Sequence, residues 1–91
     1  MRQDAEYFGD EALVLIYVAR RLKHALALER VFDSAGVDYS VVPKTYVGGL
    51  LFPSERVGAF FYVPDRTLAF ARTLMVREGF EPHSEAHEDG G

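Results

Sequence analysis

The sequence contains no cysteine. Disulfide staples, thiolate-held metals and cysteine nucleophiles are therefore excluded before any structural argument begins. Long apolar runs are missing as well: the longest, "ALVLIYVA" at residues 12–19, falls far short of the roughly 20 residues needed to cross a bilayer. The opening "MRQDAEYFGDEA" lacks the basic-then-apolar order of a signal peptide. Positive charge is scarce, with 10 Lys and Arg against 14 Asp and Glu, a net charge of −4 and a pI near 5.2. That balance argues against generic nucleic-acid affinity, which depends on clustered cations neutralising phosphates, although a local basic patch is compatible with it. The expectation is a cytoplasmic protein with neither membrane nor nucleic acid as partner.

Low-complexity tracts are also absent, so the 91 residues are expected to form one domain over 12–82, between a polar N-terminal segment (1–11) and a solvated tail (83–91). A chain of this size buries only about 60 to 70% of its unfolded surface. Against that thin core stand seven Phe and five Tyr, more aromatic surface than a small core hides. Surface association follows as an expectation.

Residues 12–18, "ALVLIYV", are apolar on both alternating faces, the pattern of a central strand covered on two sides. In "RRLKHALALERVFDSAG", Leu22, Ala25, Leu28, Phe32 and Ala35 recur at helical spacing, and Gly36 supplies the left-handed stop. "VDYSVV" (37–42) alternates as a more peripheral strand, with Asp38 and Ser40 on a solvated face. Two turn signals then compete: Gly48-Gly49 suits a tight hairpin, and Pro53-Ser54-Glu55-Arg56 suits a proline-led turn. The second is preferred, the glycines bending an extended arm. "VGAFFYV" is another two-faced strand, Asp65 is placed to cap a helix over "RTLAFARTLMVRE", and Gly79 ends it. "FEPH" (80–83) offers a short fourth strand.

The two halves each read strand, helix, glycine, strand, proline. Two such βαβ units joined by a hairpin predict an α+β fold, the ferredoxin-like βαββαβ sandwich, with an antiparallel sheet carrying both helices on one face. The other face is left open, yet Leu15, Tyr17, Phe60 and Tyr62 are assigned to it. Burial of such residues at roughly 25 cal/mol per Å² favours association. A homo-oligomer is expected, formed sheet to sheet or by the 46–52 arm crossing onto a neighbour.

Catalytic candidates are sparse. Among acid–base types, His24, Glu29, Glu55 and Tyr62 stand out, and Glu29 falls near the apolar stripe of the first helix; the plainer reading is that it reaches water at the stripe's edge. His83, Glu85, His87, Glu88 and Asp89 have a spacing that suits a metal only on a helix, which Pro82 and Gly90-Gly91 oppose. No catalytic set, metal site or cofactor is assigned. Arg20 and Arg21, with Lys23 and His24 behind them, stand where a helix N-terminus meets phosphates or carboxylates; solvation or pairing with Asp4, Glu6, Asp10 or Glu11 is the plainer account. Tyr39, Tyr46, Phe52, Phe60 and Tyr62 are candidates for an aromatic wall, or for core and subunit interface.

The unit "VARRLKHALALERVFDSAGVDYSVVP", the connection "KTYVGGLLFPSER" and "GAFFYVPDRTLAFARTLMVREGF" together resemble small bacterial signal-transducing proteins of the PII-like, ferredoxin-like group. The resemblance spans roughly residues 12–82 and rests on layout. In that group the connection between the second and third strands contacts ligands and partner proteins. The resemblance thus nominates Lys44, Tyr46, Gly48, Gly49 and Arg56. A second likeness of layout, to small sulfur- or selenium-carrier proteins, finds no cysteine here to bear the cargo. The leading expectation is a non-enzymatic, oligomeric binding or regulatory module that uses residues 44–56, with Arg20, Arg21 and Phe52 beside them, to contact a small anionic ligand or a protein. The alternative is a small dimeric α+β barrel enzyme with a pocket between two sheets.

Overall fold

A computed structural model describes residues 1–83. The chain is α+β: β1 (Leu13–Ala19), α1 (Leu22–Ala35), β2 (Ser40–Gly48), β3 (Ser54–Pro64) and α2 (Leu68–Arg77). The three strands form an antiparallel sheet in the order β1-β3-β2. β3 pairs on both edges, and its side chains alternate between the two faces of the sheet. Phe61 and Val63 point into a cluster with Leu28 and Phe32 of α1 and Leu74 and Met75 of α2, while Phe60 and Tyr62 turn away. Phe61 and Met75 are completely buried, and burial on this scale contributes about 2 kcal/mol per large side chain. No helix among the described residues is long and apolar enough to cross a membrane.

Both helices end at glycines in the left-handed region, Gly36 (φ 72°) and Gly79 (φ 90°), as a residue without Cβ allows. The stripe of α1 is shorter than its spacing suggests: Leu22 and Ala35, at its two ends, are exposed. The start of α2 also differs. Asp65 makes no side-chain cap; Asp65–Thr67 is a single 3-10 turn that leads into the α-helix.

β2 begins later and runs further than expected. Val37 and Tyr39 are core residues before the strand, and Ser40, assigned above to a solvated face, is buried. The strand then continues through Pro43, which is tolerated because β2 is an edge strand whose outer N–H positions need no partner. The polar N-terminal segment is tied in alongside. Arg2 forms a parallel bridge to Tyr39, the Gln3 amide donates to the Tyr39 carbonyl at 2.8 Å, and a 3-10 helix (Ala5–Phe8) buries Phe8.

Two further expectations are corrected. The turn between β2 and β3 lies at residues 49–53, and Ser54, Glu55 and Arg56 belong to β3, paired with Gly48, Val47 and Tyr46. Residues 80–83 are not a strand; the His83 amide donates to the Ile16 carbonyl at 2.6 Å, and Phe80 packs on the core and on Tyr17. Glu85, His87, Glu88 and Asp89, weighed above as metal ligands and assigned to a solvated tail, lie outside the described residues.

Tyr39 is fully buried against Phe32 and Phe61, and its hydroxyl donates to Asp33 Oδ1 at 3.0 Å. Burial, and then this bond to a carboxylate, push its pKa well above the usual value near 10. Since the folded pKa exceeds the unfolded one, the phenol's contribution to stability is complete below pH 10 and falls as pH rises beyond it. An alkaline titration followed by tyrosinate absorbance should show one of the five tyrosines ionising only as the chain unfolds. Tyr39→Phe should remove that delayed step, and five tyrosines all ionising in the folded protein would contradict the assignment.

Candidate functional site

β2 and β3 extend beyond the helices as a hairpin arm. The first four residues of β3 are exposed, and the arm ends in Leu50, Leu51 and Phe52, exposed by 94%, 80% and 84%. Gly49 makes the tip possible. Its φ is 97°, and a Cβ there would stand 2.7 Å from the Phe52 carbonyl oxygen, so both dihedral and space call for glycine. Val47 and Val57, on the helix-side surface of the arm, are also exposed, because the helix layer stops before reaching them. At the arm's root an apolar groove of about 220 Å³ runs between Ala19, Leu22, Ala25, Val57 and Ala59, with Arg20 and Arg21 at its rim.

The opposite surface of the arm continues into the open face of the sheet. Here Lys44 donates from Nζ to the Tyr62 hydroxyl at 2.6 Å and lies over two rings, 5.3 Å from the Phe60 centroid and 5.1 Å from that of Tyr62. The Arg20 guanidinium carbon sits 5.3 Å from the Tyr46 centroid. Tyr46 lies across Gly58: a Cβ on that glycine would meet Tyr46 Cε1 at 3.1 Å and Val18 Cγ1 at 3.3 Å. Arg56, the cross-strand partner of Tyr46, runs beside Gly48, where a Cβ would meet its Cδ at 3.0 Å. Register thus assembles three cations and three rings from residues far apart in sequence. Each cation over a ring gains about 0.5–1 kcal/mol at a surface site.

Of the residues assigned to the open face, Leu15, Phe60 and Tyr62 share it, with Leu15 directly opposite Tyr62. Tyr17 does not. The pairing of β1 with β3 slips between Leu15 and Tyr17, and this bulge sends Tyr17 to the core side, edge-on to Phe61 at 6.3 Å and Phe80 at 5.6 Å. A bulge shifts the side-chain alternation by one residue, and alternation alone does not reveal it. Tyr39 also leaves the proposed aromatic wall for the core, and Phe52 stands apart at the tip.

Among the described residues, Arg20, Arg21, Lys44 and Arg56 have no carboxylate within salt-bridge distance; Glu11, one proposed partner, instead holds Arg66 at 2.6 Å. That pairing lowers the Glu11 pKa, chiefly through the hydrogen bond. Glu29 is half-buried and faces Arg2 at 3.6 Å. A sheet-to-sheet contact through the open face would bring Lys44, Arg20 and Arg56 of two copies together without compensating acids, at an electrostatic cost. The three most exposed large apolar residues, Leu50, Leu51 and Phe52, stand elsewhere, at the arm tip. No protein-family model, curated protein or solved structure matches the chain.

The close fit around Gly58 is testable. Gly58→Ala should push the Tyr46 ring off the sheet, altering the Tyr46 ring-proton and Val18 methyl NMR shifts, and should cost about 1 kcal/mol in urea unfolding as an overpacked site. Unchanged shifts would mean that Tyr46 does not lie across β3.

Proposed function

We propose that this chain is a non-enzymatic binding or regulatory module that makes its contacts through the hairpin arm at residues 44–56, and that it self-associates by that arm. The observation that carries the reading is the tip. Leu50, Leu51 and Phe52, with Val47 and Val57 behind them, leave several hundred Å² of apolar surface in water, approaching the roughly 800 Å² each partner contributes to a stable interface. The occupant is a second copy. Each copy carries both an apolar projection and, at the root of its own arm, an apolar groove of about 220 Å³, and reciprocal exchange of tip into groove closes a two-fold dimer. The arm contact is preferred to the sheet-to-sheet contact because it gathers apolar surface and keeps Lys44 and Arg56 in water, with Arg20 at the groove's rim.

A ferredoxin-like plan for the whole domain belongs to the same proposal. The order β1-β3-β2 is that of its first three strands, and the His83–Ile16 bond lies along the free edge of β1, where a fourth strand would pair. Kinship with PII-like signal-transducing proteins accords with an arm in the position of their contact loop, although this arm is a paired hairpin.

Sedimentation velocity at micromolar to tens of micromolar protein tests the reading. The parent chain should sediment as a dimer at the higher concentrations, and Leu51→Ser with Phe52→Ser should give a monomer with unchanged thermal unfolding of the isolated domain, since neither residue touches the core. A parent that stays monomeric across the range would end the self-association proposal.

A further inference from the structure

The open face of the sheet carries a ligand chemistry separate from the arm tip. We propose that it binds single-stranded nucleic acid, with Tyr46, Phe60 and Tyr62 as the stacking platform and Arg20, Lys44 and Arg56 as the phosphate contacts. The whole-chain charge of −4 argues against such a partner, but the charge is unevenly distributed. The strand positions turned to this face are Leu13, Leu15 and Val18 on β1 and the even-numbered residues of β2 and β3, and none is Asp or Glu. Every charged side chain that those positions present is a cation. Glu81 is an acid at the edge of β1, lining a hollow of about 340 Å³ together with Tyr17, Val18, Arg20 and His83.

Three features select a strand over other ligands. Half-buried rings on a sheet give bases a surface that any base can use, and Tyr46 lies across Gly58, where a Cβ would stand 3.1 Å from its Cε1. Arg20 and Lys44 already lie against the rings, at 5.1 to 5.3 Å, so phosphates above the face and bases upon it are served by the same pairs, with Arg56 beside them as the cross-strand partner of Tyr46. The surface is open along its length, from Arg56 to Tyr62, six residue steps or about 20 Å of strand, a span for two or three splayed nucleotides. A mononucleotide bound alone needs walls that bury most of it. The proposal does not rest on dimerisation, because residues 50–52 contribute nothing to this face, and a tip seated in the groove would border it only at Arg20 on the groove's rim.

Fluorescence anisotropy of a labelled single strand of about a dozen nucleotides, titrated with the full chain at about 50 mM salt, tests this. Binding should weaken with salt at a log–log slope of about −2, as expected for three phosphates on a single strand, and a duplex of the same length should bind less tightly. Arg56→Gln, at an exposed position, should reduce the slope by about 0.7. Tyr46→Ala should weaken binding by about fivefold or more, the loss of one stacked base. No anisotropy change up to about 100 µM protein, or binding that Arg56→Gln and Tyr46→Ala both leave unchanged, would overturn the proposal. Arg56→Gln decides the matter even if the tyrosine variant does not fold.

Discussion

The architecture depends on a mismatch of lengths. β3 has 11 residues and α1 has 14, so the strand reaches about 37 Å and the helix about 21 Å. The helices therefore cover only the distal half of β3, where Phe61 and Val63 are sealed. The half beginning at Ser54 extends with β2 as an arm that no helix shields. A small chain cannot build a thicker layer, so the uncovered length follows from the choice of long central strands. Its position beyond the core makes the tip and the open face available without cost to the packing beneath.

Alternation along β3 then gives the two surfaces different chemistries. One set of positions places Phe61, Val63 and Ala59 toward the helices, and past their reach Val57 and Glu55. The other set places Tyr62, Phe60, Gly58 and Arg56 on the open face, where β2 answers with Lys44 opposite Gly58 and Tyr46 opposite Arg56. Gly58 matters because its missing side chain makes room for a ring from the neighbouring strand. The cation and ring pairs are therefore products of register, and a slip of one residue would move every member to the wrong face.

Much of the fold was legible because it depends on local pattern. The apolar continuity of β1, the three- and four-residue spacing of Ala25, Leu28 and Phe32, and the stops at Gly36 and Gly79 are each visible within a short window. What was not legible depends on partners distant in sequence. Gly48-Gly49 and Pro53-Ser54 both read as turns, and the real tip spans the interval between them because the β2–β3 pairing persists to Gly48 and Ser54. Tyr17 faces the core because of a bulge that alternation does not reveal. Phe8 lies in a stretch that reads as polar, yet it is buried, in a segment tied to the Tyr39 backbone through Arg2 and Gln3. Lys44, Tyr46 and Arg56 were singled out one by one, whereas their placement against Phe60, Tyr62 and Arg20 required the sheet itself.

The central claim is that the arm makes contacts while the core holds the fold. Hydrogen exchange measured on the same protein at high and low concentration tests it directly, because amides protected by self-association are released on dilution while those protected by the fold are not. The account predicts that amides near the arm tip, from Val47 to Val57, lose protection on dilution while those of Phe61 and Val63 keep theirs. Equal protection of the arm at every concentration, or loss of protection in core and arm together, would contradict it.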